Sequence, residues 1–277
     1  MFEFFTLFGE EAFVLVIMCV LYWCVNKNLT YRIGMSFFFS GLVAQELKLI
    51  CRVPRPWIKD PAFKPLESAL ETATGYSFPS GHTQTAASLY TTVLLNTKQI
   101  WVKAAMVLLV LGVCFSRMYM GVHTPADVVC ALVISVACTV SVNAIMDRHF
   151  GKKADLSLSA ALGIFSVLCV IYAIVMHQNG SIETKYVNDL AKMAGAALGF
   201  AFSFYVERNC IDFCEKSAKP WQSVLKPALG IAVLLLIKGA LKPVFGQGML
   251  GGYFRYFVML IWAMCLYPLI IKKVLKW

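Results

Sequence analysis

The chain is short of charge. Of its 277 residues, 25 are Lys or Arg and 15 are Asp or Glu, so only 14% are charged. A soluble domain carries about 25%. This shortage excludes a disordered protein, which needs low hydrophobicity and high net charge. It equally excludes a soluble nucleic-acid-binding domain, because no basic domain exists to do the binding. The chain also lacks a disulfide framework. Its 10 cysteines are scattered, mostly inside apolar runs, as at Cys130, Cys138 and Cys169, where cysteine acts as a small hydrophobe. Cys210 and Cys214 have helical spacing, but no neighbouring His or Cys pair completes a zinc site. No internal repeat, low-complexity tract or basic leader is present. Met1 to Glu11 carries Glu3, Glu10 and Glu11 instead, with Phe2, Phe4, Phe5 and Phe8 suited to a membrane interface.

What the chain has in excess is apolar residues, at 59%. Runs of about 20 apolar residues recur along it, which reads as a polytopic membrane protein. The pattern predicts nine spans, near 9–26, 30–51, 80–97, 99–118, 124–146, 157–177, 187–206, 224–243 and 253–275. The seventh contains Lys192, together with Gly195 and Gly199 at a spacing that permits close helix packing. Between spans 2 and 3, Pro54, Pro56, Pro61 and Pro65 exclude a helix crossing the membrane. That loop is expected to hold a short interfacial helix near Leu66 to Thr74. His149 and His177 read as solvated residues at span ends.

Nine spans put the 52–79 loop and the C-terminus on opposite faces. Lys27, Arg32, Lys98, Lys103, Arg148, Lys152, Lys153, Arg208, Lys216, Lys219, Lys226, Lys272, Lys273 and Lys276 share the C-terminal face. The positive-inside rule makes that face cytoplasmic and the loop extracytoplasmic or lumenal. It also accounts for the net charge of +10 without a nucleic-acid partner.

Three polar clusters interrupt the apolar chain, all at the loop face. They are Lys48 with Arg55-Pro56; Pro79-Ser80-Gly81-His82; and Ser116-Arg117 with His123 and Asp127. Each alone has an ordinary explanation: a snorkelling Lys48 or Arg55, a Pro-Ser-Gly turn with an N-cap, or a Ser116 bond between helices. Together they bring several cations to one region with few carboxylates, which asks for an anion. Arg and Lys bind phosphate oxygens, and a Ser-Gly-His helix start adds backbone N–H donors. Two histidines can divide phosphoryl transfer, one as nucleophile and one as general acid. Asp127, four residues after His123, can hold its imidazole. Fixed cations suffice for this chemistry, so no metal and no cofactor is expected.

The pattern K-x6-R-P, P-S-G-H, S-R-x5-H-x3-D resembles the three-part signature of the type-2 phosphatidic acid phosphatase superfamily. That superfamily includes lipid phosphate phosphatases, undecaprenyl diphosphate phosphatases, glucose-6-phosphatase and vanadium haloperoxidases. All three parts match, across spans 2 to 5. The resemblance implies that His123 is the nucleophile of a phosphohistidine, that Asp127 orients it, and that His82 protonates the leaving oxygen and later helps activate water. Lys48, Arg55, Arg117, the Ser80 hydroxyl and the Ser80 and Gly81 amides would bind phosphate oxygens. No role is assigned to Ser116.

The expected fold is an all-α polytopic membrane bundle. A six-helix phosphatase core would occupy 1–178 and three further spans 179–277. The nine-span count is similar to the glucose-6-phosphatase and sphingosine-phosphate phosphatase branches. The expected substrate is a membrane lipid phosphate or diphosphate, with its tail in the bilayer. Trp57, Phe63, Leu66 and Leu70 would cover the headgroup or simply anchor the loop. The alternatives are a soluble sugar phosphate or a non-catalytic lipid-phosphate binder or transporter. Spans 7 to 9 would form either a homodimer interface or part of the substrate groove.

Overall fold

The computed structural model describes residues 2–70, 73–148, 152–180, 182–217, 219–246, 248–275 and 277. Met1, His149 and Lys276 lie outside these, as do the side chains of Phe2 and Lys152. The described residues form helices and loops without a strand. In chain order the helices are α1 (Phe2–Leu7), α2 (Glu11–Val20, extended by a π turn Leu21–Val25), α3 (Lys27–Cys51), α4 (Gly81–Asn96), α5 (Ile100–Tyr119), α6 (Pro125–Arg148), α7 (Lys152–Gln178), α8 (Thr184–Val206), α9 (Pro220–Phe245) and α10 (Met249–Ile261). A rod of alternating π and α turns continues α10 to Leu275.

Six of these segments are long and apolar enough to cross a membrane: α3, α5, α6, α7, α9 and the rod that begins at Met249. The chain is an integral membrane protein. Three expected spans are built differently. The first is the shorter apolar helix Glu11–Val25. The third, α4, has only 16 residues, about 24 Å at 1.5 Å per residue, against a hydrocarbon thickness of about 30 Å. The seventh, α8, is long but more polar. Both α4 and α8 are enclosed by other helices and need no apolar outer face. α4 can therefore carry a polar seam: Gln84 Nε2 donates to Ser40 Oγ at 2.8 Å, and Ser40 Oγ meets Ser88 Oγ at 2.7 Å.

α3 is the central post, packing on α4, α6 and α8. One apolar core lies among α2, α4, α5 and α6, with Ile33 of α3 inside it. A larger one joins α2 and α3 to α7, α8 and the C-terminal rod, around Trp23, Tyr31, Phe200 and Phe204. The last three helices thus share a core with the first half of the bundle rather than standing apart. Many aliphatic side chains of α5, α6, α7 and α9 face outward, such as Leu108, Val133, Ile164 and Leu236, as lipid-facing surfaces should.

The tightest helix contact is between α8 and α10. A Cβ on Gly195 would collide with the Tyr253 carbonyl, and one on Gly199 would sit 2.7 Å from the Phe257 carbonyl. Small residues let two backbones meet here. Gly195→Val should cost at least the 1–3 kcal/mol typical of overpacking. The check is a lowered thermal unfolding midpoint in detergent; an unchanged midpoint would contradict this packing.

Candidate functional site

α3, α4, α5 and α6 all present an end to the same face of the bundle, and each end carries part of the polar signature. The last turn of α3 holds Lys48. The chain then turns at Arg52, which adopts a left-handed backbone with φ 49°, and Arg55 follows three residues later. Arg55 is buried, and backbone carbonyls hold it in place. Its Nε donates to Gly75 O at 3.1 Å, Nη2 to Thr74 O at 2.8 Å and Nη1 to Val122 O at 2.9 Å. Lys48 Nζ likewise donates to Tyr76 O at 2.9 Å. Two prongs of the signature therefore fix the far end of the 52–79 loop.

His123 sits in the short loop between α5 and α6 and is 5% exposed. Arg55 Nη1 lies 3.0 Å from its Nε2. A guanidinium can only donate, so this network assigns the lone pair to Nε2 and the proton to Nδ1. Nδ1 faces Asp127 Oδ2 at 3.6 Å, just beyond hydrogen-bond reach. Burial pushes His123 down from 6.5 to about 3, against the upward pull of Asp127, while Arg55 and Lys48 add to the downward push. The imidazole is therefore neutral across the physiological range.

Asp127 is fixed by its own helix start. Thr124 N donates to Asp127 Oδ2 at 2.7 Å, and Asp127 N donates to Thr124 Oγ1 at 3.3 Å. This reciprocal capping box has Pro125 at the first helical position. The Ser77 hydroxyl donates to the same Oδ2 at 2.6 Å. Two hydrogen bonds thus converge on the carboxylate oxygen that faces His123 Nδ1.

Ser80 caps α4, its Oγ accepting from Thr83 N at 3.4 Å, while its own amide donates to Asp127 O at 3.1 Å. Its amide is therefore engaged in shaping the helix start, whereas its hydroxyl only accepts there and keeps its own proton to donate. Gly81 differs: a Cβ there would meet nothing within 4 Å, so open space lies before it. His82 follows, and its buried Nε2 has no protein partner. Arg117 is completely buried. Its Nη1 donates to Thr6 Oγ1 at 2.8 Å, whereas Nε and Nη2 have no partner. Among the described residues, none of Lys48, Arg55 and Arg117 takes part in a salt bridge. The Ser116 hydroxyl donates to Val113 O at 2.8 Å, a bond within its own helix.

The amino terminus departs from expectation. Instead of serving only as an interfacial anchor, α1 lies on α5, where the Phe5 ring fills the space a side chain at Gly112 would need. This brings Thr6 to Arg117. Gly9 then passes so close to His82 that a Cβ would sit 2.9 Å from the His82 carbonyl. In the loop, Leu66 N donates to Met120 O at 3.1 Å, and Ala69 packs with Met120 and Val122. A helical turn, Glu67–Leu70, occupies part of the predicted interfacial helix. Phe63, Leu66 and Leu70 remain about two-fifths exposed.

The PAP2 superfamily profile matches residues 29–151, and the profile described as PAP2 superfamily phosphatase, transmembrane extension, matches 191–275. Sphingosine-1-phosphate phosphatase 2 of Mus musculus is 24% identical over 236 residues, covering 81% of this chain and 62% of that protein. The Homo sapiens protein of the same name is 23% identical over 253 residues, covering 87% and 60%. A probable sphingosine-1-phosphate phosphatase of Dictyostelium discoideum is 24% identical over 216 residues, covering 73% and 52%. The chain thus spans between half and two-thirds of the length of these relatives. No solved structure matches. With one profile over the helices that carry the signature and a second over the C-terminal helices, the chain belongs to the PAP2 superfamily.

Proposed function

We propose that this chain is an integral-membrane phosphatase that hydrolyses a phosphate monoester of a long-chain lipid through a phosphohistidine. The observation that carries this reading is the set of buried nitrogens without protein partners, Arg117 Nε and Nη2 and His82 Nε2, near a neutral His123. An unpaired buried guanidinium is costly, and a phosphate supplies both the charge and the acceptors it lacks. The names of the relatives favour a sphingoid phosphate over undecaprenyl diphosphate, phosphatidylglycerophosphate or glucose 6-phosphate. A site at helix ends suits a headgroup whose tail stays among the helices.

In the first step the Nε2 lone pair attacks phosphorus. Arg55 must release Nε2 and turn to the phosphate oxygens, where it joins Lys48, Arg117 and the Gly81 amide. The P–O ester bond breaks, and His82 protonates the leaving oxygen. Asp127 stabilises the cationic ring that results. In the second step His82 takes a proton from water, whose oxygen attacks phosphorus, and the P–N bond breaks to free inorganic phosphate. All of these residues lie in 1–178, which we read as the catalytic core, with 179–277 as the extension. We place this face outside the cytoplasm, because the basic residues gather at the other end.

Phosphate release by purified protein in detergent tests the reading. Sphingosine 1-phosphate should be cleaved in the presence of EDTA, and His123→Ala should abolish release. Cleavage that survives in the variant would sink the nucleophile assignment. Absence of release from every substrate named above, by folded protein, would sink the function and favour a binding or transport role. Ser77→Ala should lower kcat about tenfold with a smaller effect on KM, because it loosens the carboxylate rather than the phosphate site; an unchanged kcat would remove Ser77 from the mechanism.

His123 also couples stability to pH. Its folded value of about 3 lies below the unfolded 6.5, so the unfolded state binds the proton more readily. The stability it contributes is present above pH 6.5 and is lost as pH falls toward 3. Between pH 6.5 and 5 that loss is about 2 kcal/mol. Thermal midpoints of the wild type should therefore fall more steeply over this interval than those of His123→Gln; parallel curves would contradict it.

A further inference from the structure

The polar seam of α4 continues into its two neighbours. Along α3, every fourth residue toward the catalytic end is Arg32, Ser36, Ser40, Ala44 and Lys48. Away from that end, the same step from the N-cap of α4 gives Ser80, Gln84, Ser88, Thr92 and Asn96. Along α6 it gives Asp127, Ala131, Ser135, Thr139 and Asn143. α3, α4 and α6 each pack on the other two. Four residues are close to one helical turn and advance about 6 Å, so the three stripes fall into common layers. The bonds between helices confirm the register. Ser80 N donates to Asp127 O at 3.1 Å in the catalytic layer. Ser40 Oγ meets Ser88 Oγ at 2.7 Å in the third layer, and Asn96 Nδ2 donates to Asn143 Oδ1 at 2.9 Å in the fifth.

The third and fourth layers lie about 12 and 18 Å from Asp127 along the helix axis, near the middle of a hydrocarbon core about 30 Å thick. Here Ser36, Ser135 and Thr139 are completely buried, yet their hydroxyls have no protein partner. We infer that these three hydroxyls form a binding site for internal water, which bridges α3 and α6 in the interior of the bundle. The inference goes beyond the function proposed above and is independent of it, since no catalytic step uses this site.

The class of ligand follows from charge. The side chains of both layers are hydroxyls alone. Below them, Arg32 is paired with Asp147 Oδ1 at 2.7 Å and donates to Asn143 Oδ1 at 3.4 Å. Above them, Lys48 is separated by the layer of Ala44, Gln84 and Ala131 and donates to Tyr76 O. An ion of either sign would find no countercharge. A hydroxyl both donates and accepts, and water matches it in both roles. Burying a hydroxyl without a partner is costly, and one buried water commonly makes about three hydrogen bonds, enough to serve all three groups. Close packing of helices alone would not explain them, because alanine or glycine achieves it without a polar atom to satisfy. The direct side-chain bonds named above run from α3 to α4 in the third layer and from α4 to α6 in the fifth. The unpaired hydroxyls lie on α3 and α6, the two helices whose catalytic ends hold Lys48 and Asp127.

The test uses the full chain in lipid bilayers with isotope-labelled serine and threonine, and follows transfer of magnetisation from water to protein by solid-state NMR. Transfer should reach Ser36, Ser135 and Thr139 well before Ser166, a buried serine whose hydroxyl is satisfied by Ala194 O at 2.6 Å. Transfer as slow as at Ser166 would overturn the inference. Thr139→Val keeps the side-chain shape and removes the hydroxyl; transfer to Ser36 should then fall to the Ser166 level. Ser135→Ala should have the same effect on Ser36. Transfer to Ser36 that survives both variants would overturn the shared site. Each variant should also lower the thermal unfolding midpoint, because a water is left short of a partner. A midpoint unchanged or raised in both, the result expected on removing a hydroxyl buried dry, would overturn the inference as well.

Discussion

Three buried cations with no carboxylate paired to them are the constraint around which one end of this bundle is organised. Positive charge withdrawn from water must be held by something. Here it is held by backbone. The carbonyls of Thr74, Gly75, Tyr76 and Val122 receive Arg55 and Lys48, and one threonine hydroxyl receives Arg117. Carbonyls offer partial charge without neutralising the cation. The site is therefore structured yet electrostatically unsatisfied, a condition suited to an anion that must bind and then leave.

The same arrangement explains why the long proline-containing loop is ordered at its far end. Arg55 and Lys48 reach across to residues 74–76, and the Ser77 hydroxyl ties the next residue to Asp127. Loop and site stabilise each other, and the helix start at Ser80 is set by the Asp127 carbonyl. Neighbouring segments are joined through a few charge-assisted contacts rather than through apolar area, which is scarce in this region.

Much of this was legible in the sequence. The three clusters announced themselves because charge is rare in this chain, and the helix pattern followed from apolar runs. Span boundaries fell within a few residues: 80–97 became 81–96, and 187–206 became 184–206. The supporting contacts were harder to read. The T-P-A-D capping box at Thr124 had a readable signature. Ser77, Thr6 and Gly9 had none, because a lone hydroxyl or glycine acquires its role only when a distant helix arrives beside it. The polarity of α4 and α8 is of the same kind, since enclosure by neighbours is a tertiary property. The Ser80 amide shows the reverse: its motif position implied a phosphate contact, whereas it donates to the Asp127 carbonyl in building the turn.

The placement of every signature residue at one end of the bundle has a consequence for lipid traffic. In the proposed lipid phosphatase, such a site would sample a single leaflet. A phosphorylated lipid in the opposite leaflet is out of reach, because carrying its charged head through the hydrocarbon is strongly opposed. Once the phosphate is removed, the lipid left behind has lost its main barrier to crossing. Hydrolysis at one face would thus turn a leaflet-bound molecule into one free to equilibrate between leaflets, with the liberated phosphate left in the water on the side where it was cut.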